Sequence, residues 1–155
     1  MPRGIKRQKW GPGDLFAVPL LDGSFLMGQI LAHEPQAMNS VSCALFDQRF
    51  NDNNAPRPAI DAIFSILLVT RDLLDRGVWR VVGSSPIEIQ RSAFPFENLR
   101  PAGFVGATIR GSRIVNEFAN AFCGLCPWDS WAKPDYLDGL LISPAKKPTH
   151  LVFKT

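Results

Sequence analysis

Residues 15–20 (LFAVPL) and 24–31 (SFLMGQIL) are apolar runs parted only by Leu21, Asp22 and Gly23. Asp-Gly supplies the positive φ values that a tight hairpin turn demands, so the chain has to open on two antiparallel strands. Pro19 cannot donate to a ladder, which turns its N–H side toward solvent or a bulge, and Gly28 inside the second run implies a bend or a close backbone contact. Twelve glycines and thirteen prolines in 155 residues make turns frequent and long helices few. Residues 41–50 read as a third strand, followed by an exposed, turn-rich loop at 51–58. Residues 63–70 form a short, nearly continuous apolar run, as expected of a strand buried on both faces. The spacing then predicts a short helix over 70–77, with Thr70 as N-cap, Asp72 in the first turn, Leu73 and Leu74 inward and Gly77 as the stop. Residues 78–83 alternate as a strand, with Trp79 on one face and Val78 and Arg80 on the other. The connection 84–104 is broken by Pro86, Pro95 and Pro101 and is expected to pack by Phe94, Phe96 and Phe104. The clearest helix is 112–122, where Ile114, Val115, Phe118, Ala121 and Phe122 fall on one face. Pro127 and Pro134 divide the C-terminal stretch into short helical pieces, 129–132 and 135–141. The expected fold is β-rich α+β: a strongly bent antiparallel sheet, SH3-like or a partial barrel, with one main covering helix and short C-terminal helices.

Length and hydrophobic content, 46% of residues, suit a single core, placed at residues 10–145 between basic tails at 1–9 and 146–155. The longest apolar stretch, residues 62–69, is far below the roughly 20 residues needed to cross a bilayer, so no membrane partner is expected. No apolar segment follows the basic start, because Gly11, Pro12, Gly13 and Asp14 interrupt it, which points to a cytoplasmic protein. Three cysteines cannot make a disulfide framework, in agreement with a reducing compartment. The formal charge of +3 is a sum of opposed parts. Arg3, Lys6, Arg7 and Lys9 contribute +4 and Lys146, Lys147 and Lys154 +3, whereas the body holds ten Arg and Lys against fourteen Asp and Glu, a balance of −4. Such a body lacks the basic, aromatic-studded stripe of a nucleic-acid binder, and no nucleic-acid partner is expected for it.

Catalytic and metal constellations do not assemble in the sequence. Cys123-Gly124-Leu125-Cys126 has C-x-x-C spacing, yet Cys43, His33 and His150 are too scattered to complete a zinc site. The motif also falls at the C-terminal end of a helix, followed by Pro127, rather than at the N-terminus that lowers a thiolate pKa. Packing in a turn is the better reading. His33 and His150 have no neighbour suggesting a Ser or Cys nucleophile, G-x-S-x-G is missing, and the glycines of residues 103–111 match neither phosphate-loop spacing. No enzymatic activity and no cofactor are therefore expected. The densest aromatic and acidic cluster is Trp128, Asp129, Trp131, Asp135, Tyr136 and Asp138, a combination suited to a protein interface for a basic partner. Trp128 and Asp129 also fit packing roles, as a core cap and a helix N-cap, with Asp135 capping the last helix, which leaves Trp131 and Asp138 open. A second candidate is the acidic segment bearing Asp47, Asp52 and Asp61.

A resemblance extends this reading. Gly13-Asp14-Leu15-Phe16-Ala17-Val18-Pro19-Leu20, Asp22-Gly23 and Gly28-Gln29-Ile30-Leu31 resemble the opening of the immunity protein 26 family of bacterial polymorphic toxin systems. Thr70, Asp72, Leu73, Leu74, Gly77, Trp79 and residues 81–83 (VVG) resemble its middle segment. Residues 124–129 (GLCPWD), with Pro134-Asp135-Tyr136 and Leu140, resemble its closing one. The blocks are scattered over residues 10–141, and residues 51–58 and 84–101 depart from the pattern. The resemblance implies an all-β or α+β protein, encoded beside a toxin, that binds and silences it without turnover; it assigns no site residues. The alternative is a small SH3-like or Tudor-like barrel module that binds a peptide or nucleic acid.

Overall fold

The computed structural model of the protein describes residues 7–52 and 54–154. Residues 1–6 of the expected basic N-terminal tail lie outside the described residues. The hairpin forms where its turn chemistry puts it. Strands β1 (Asp14–Pro19) and β2 (Phe25–Glu34) pair antiparallel, with Phe16 opposite Gly28. Gly23 takes φ 88°, and Asp22 accepts hydrogen bonds from the Ser24 amide and hydroxyl. Pro19 lies beyond the stretch of β1 that pairs with β5, so its missing N–H costs no ladder bond. Gly28 answers a close contact. A Cβ there would lie 2.3 Å from Phe16 Cζ, because the Phe16 ring, stacked on Trp79 at 5.0 Å, lies over Gly28.

Strands β3 (Ser40–Phe50), β4 (Ile63–Val69) and β5 (Arg80–Ser84) follow, with the one-turn helix α1 (Asp72–Asp75) before β5. After a long connection come β6 (Ile109–Arg110) and helix α2 (Ser112–Phe122). Among the described residues the sheet has six strands in the order β5-β1-β2-β3-β4-β6. Its first five strands pair antiparallel, but β6 runs parallel to β4, so the sheet is mixed instead of antiparallel. The cause is the connection after β5, which carries the chain from one edge of the sheet to the other. The sheet is open, with β5 and β6 as its edges. Register slips at Leu15/Phe16, Leu26/Met27, Ile30/Ala32 and Leu45/Phe46 insert the bulges that bend such strands.

Side chains alternate across the pleat into two cores. Phe16, Val18, Leu26, Ile30, Cys43 and Leu45 join the first; Leu15, Ala17, Met27, Ala44 and Phe46 join the second. All of β4 is buried, as its unbroken apolar run requires. Helix α2 covers the first face, stacking Phe122 on Phe64 at 3.6 Å and setting Phe118 against Phe64 and Trp128. Each such fully buried ring contributes roughly 1.5–3 kcal/mol. The connection between β5 and β6 covers the second face with Phe94, Phe96 and Phe104. It holds two short 3-10 turns, Arg91–Ala93 and Glu97–Ala102.

The junction of α1 and α2 corrects one sequence expectation. Thr70 is not the cap of the first helix: Arg71 occupies the N-cap position of α1 without a side-chain cap bond, and Thr70 Oγ1 accepts instead from the Ser112 amide at the start of α2. Asp72 Oδ1 accepts from the Thr70 and Ser112 hydroxyls at 2.8 and 2.7 Å. Those bonds outweigh its partial burial and hold its carboxyl below the ordinary aspartate range. The expected helix over 129–132 is a turn and a bend, because Asp129 Oδ1 accepts from the Lys154 amide instead of capping a helix. Asp135 occupies the N-cap position of the 3-10 turn Tyr136–Leu140 but makes no side-chain cap bond. Gln8 acts as a short splint: its side-chain amide donates to the Leu74 and Trp79 carbonyls and accepts from the Val81 amide.

Candidate functional site

The aromatic and acidic segment is anchored by buried Trp128 and stays partly open along its length, with Asp129, Trp131, Tyr136 and Asp138 half-buried. Trp128 is 1% exposed, packs on Phe118, and donates its indole N–H to Asp138 Oδ1 at 2.6 Å. Burial alone would raise the Asp138 carboxyl, but the bonds from Trp128 and Lys147 hold it below the usual aspartate range. Trp131 is half-buried, with its ring 5.1 Å from that of Tyr136 and its indole N–H buried without a partner. Tyr136 accepts a 2.8 Å hydrogen bond from Arg110, whose guanidinium also lies over the ring. Asp135 is exposed, 3.9 Å from Lys133.

The chain's own basic C-terminal residues meet this acidic material. Lys147 pairs with Asp138 at 3.1 Å, the Lys154 amide bonds Asp129, and Lys146 Nζ donates to the Asp61 carbonyl at 2.7 Å. Asp47 and Asp52 are exposed; Asp52 has φ 54°, and its carbonyl accepts from Arg80 at 3.3 Å. The structure thus links Asp61, Asp129 and Asp138 through the closing segment, and it leaves Asp47 at the end of β3 and Asp52 on the loop after it. The segment's remaining surface comprises the edge of the Trp131–Tyr136 pair, the exposed residues Ser130, Ala132, Lys133, Pro134 and Asp135, and part of Asp138.

The cysteines are packed. Burial pushes the Cys43 thiol up to about 12 and that of Cys123 to about 11. Cys126 Sγ lies 3.7 Å from the Glu117 carbonyl, and its thiol is raised by burial as well. Among the described residues, no group of three or more His, Cys, Asp or Glu side chains converges as a metal site would require.

The far end of the sheet holds a surface that sequence reasoning did not single out. Between β2 and β3 the chain turns through Pro35, Gln36, Ala37, Met38 and Asn39. Ala37 is buried in the second core, while Met38 stands 86% exposed. Met38 and Asn39 both take left-handed backbone, φ 56° and 57°. Glu34, at the foot of this turn, has a side chain only 2% exposed. It accepts two 2.8 Å bonds from the Arg100 fork and one from the Ser42 hydroxyl at 2.5 Å. Burial pushes its carboxyl up, but these charge-assisted bonds prevail and hold it below the usual glutamate range. Two open clefts flank the turn. One, of about 500 Å³, is lined by Met38, Ser40, Arg71, Asp75 and Ile109 among others. The other, of about 470 Å³, is lined by His33, Pro35, Arg91, Arg100 and Phe104 among others. The only local signal for this tip was Pro35 ahead of Asn39 and Ser40, an ordinary loop composition.

The Immunity protein 26 family model matches residues 11–100. The chain belongs to the immunity protein 26 family. The match spans β1 to β5 and the part of the Glu97–Ala102 turn that carries Arg100; the opening and middle blocks of the sequence resemblance fall inside it, whereas α2 and residues 124–140 lie beyond it. Neither the curated proteins nor the solved structures contain a significant match. Membership places the chain among proteins that protect against a toxin, and hence among proteins with a protein partner. No helix among the described residues is long and apolar enough to cross a membrane.

Proposed function

We propose that this protein protects the cell that makes it by binding a toxin domain encoded beside it, in the cytoplasm and without turnover, within a bacterial polymorphic toxin system. The observation that carries this reading is the family match across residues 11–100. A protein that must silence an enzyme at low copy number needs nanomolar affinity or better, about 12 kcal/mol, and an interface of at least ~1,200 Å². Both faces of the sheet are already covered, by α2 and by the β5–β6 connection, so the partner meets these covering elements, the sheet edges, the turns at the ends of the strands or the C-terminal segment, and not the sheet faces themselves. Within the aromatic and acidic segments, Asp129, Trp131, Asp135, Tyr136 and Asp138 keep accessible surface, as do Asp47, Asp52 and Asp61, while Trp128 is spent on the core and Asp138 is also tied to Trp128 and Lys147.

Co-expression tests the function directly. Cells making the neighbouring toxin domain should survive only with this protein, and the two purified chains should elute together as a stoichiometric complex. Death of the co-expressing cells, with both proteins present and folded, would refute the reading.

A further inference from the structure

We infer that the tip between β2 and β3, together with the exposed loop beside Phe104, is the surface that seats the toxin, and that the toxin presents an apolar hollow bordered by a carboxylate. The inference rests on the immunity reading and adds to it the location and chemistry of the contact.

Met38 is the most exposed of the large hydrophobic side chains among the described residues, at 86%. Its backbone is left-handed, as is that of Asn39 after it, a conformation that costs an L-residue other than glycine steric strain. A thioether held in water on a strained turn adds nothing to the core. Glycine or asparagine would make the same turn more easily. The loop 103–107 repeats the pattern: Gly103, Phe104 and Gly106 all have positive φ, the Phe104 ring is buried against the Arg100 guanidinium at 4.7 Å, and Val105 is left 76% exposed. Both apolar knobs rise from a rigid base, because the Glu34–Arg100 fork fastens the foot of one to the turn that leads into the other. A surface so fixed loses little freedom on binding. Met is an adaptable contact residue and, with Arg, is enriched at protein interfaces.

Charge selects the partner. In the first cleft the ions are matched: Arg7 and Arg71 face Asp75 at 3.7 and 3.2 Å, and Asp72 is held by two hydroxyls. In the second cleft Glu34 is consumed by Arg100, which leaves Arg91 with no ion-pair partner among the described residues. An exposed arginine beside an apolar knob calls for a carboxylate at the rim of the partner's hollow. The floor of the first cleft adds a second unspent group, since Ser40, 2% exposed, carries a hydroxyl without a hydrogen-bond partner.

The experiment uses the full chain and the toxin domain encoded by its neighbouring gene, with affinity read by titration calorimetry and protection read by co-expression. Met38→Asp, Met38→Gly, Val105→Asp and Arg91→Glu are compared with Leu21→Asp. Leu21 is 72% exposed on the β1–β2 turn, at the other end of ten-residue β2. Asp and Gly both suit a φ of 56°, so the Met38 variants should unfold at or above the wild-type temperature. Each of the four tip variants should weaken binding at least tenfold, while Leu21→Asp stays within twofold. Wild-type affinity in a folded Met38→Gly/Arg91→Glu double variant would overturn this surface while leaving the immunity function standing. An equal loss from Leu21→Asp would overturn it too. Failure of the wild-type chain to bind or protect would overturn the function itself, and this surface with it.

Discussion

Replacing Arg100 by Met removes the partner of a carboxylate that has almost no access to water. Glu34 keeps one bond, from Ser42, of the three it accepts in the native chain, and its side chain is 2% exposed. Breaking one side of a buried ion pair costs about 3–5 kcal/mol, because the remaining charge is neither solvated nor compensated. Glu97 also loses its 2.8 Å bond to the Arg100 Nε, and Phe104 loses the guanidinium above its ring. Against the 5–15 kcal/mol total of a typical domain, the variant should be marginal at neutral pH. The Glu34→Gln/Arg100→Met double variant should lose clearly less, since it buries no unpaired charge. Acid provides a second reading with a definite sign. In the wild type the Glu34 carboxyl is held below its usual range, so its stabilisation is complete above the unfolded value of about 4.3 and is lost as pH falls through the folded one. In Arg100→Met the same carboxyl is raised by burial, so protonation relieves it. The gap between variant and wild type should therefore narrow by at least about 1 kcal/mol between pH 7 and pH 4. Urea unfolding at both pH values measures it. A gap below about 1 kcal/mol at pH 7, or one that does not shrink in acid, would refute the reasoning.

Gly28→Ala should destabilise by about 1–3 kcal/mol in the same assay, because Phe16 is fully buried against Trp79 and cannot withdraw from the new methyl; Phe16→Leu in the same chain should recover part of the loss. Asp138→Ala leaves the Trp128 indole N–H unpaired in the core and should cost about 1–3 kcal/mol at pH 7; the depressed Asp138 carboxyl makes that difference shrink as pH falls below the ordinary aspartate range. Cys43, whose thiol is pushed up to about 12, should resist a thiol reagent at pH 8 until the protein is unfolded, whereas half-buried Cys126 should react first; rapid native-state labelling of Cys43, read by mass spectrometry, would contradict its placement in the core.

Elements governed by neighbouring residues were legible in the sequence. Asp22-Gly23 set the opening turn, the unbroken apolar run of β4 announced burial on both faces, and the spacing of Val115, Phe118 and Phe122 drew the buried face of α2. Turn chemistry and side-chain periodicity act over two to eleven residues, so they can be read without knowing what the chain meets later. Gly28 was legible only as a demand for closeness; that Phe16 fills the space depended on the β1–β2 register. The tertiary structure decided everything that joins distant residues. Thr70 had the composition of a helix cap, but Ser112 competed for its hydroxyl across 42 positions. Trp128 had the composition of an interface anchor, but the core claimed its ring; Asp129 and Asp138, half-buried, are tied to the Lys154 amide and to Trp128 and Lys147, partners no local pattern announces. Glu34 and Arg100, 66 residues apart, had no local pattern that could announce a buried fork. The exposed Met38 tip followed from that fork and from the burial of Ala37 beneath it. Charges and hydrogen-bonding groups are paired by whichever partner the fold delivers, and that choice is fixed by long-range packing and not by the residues on either side.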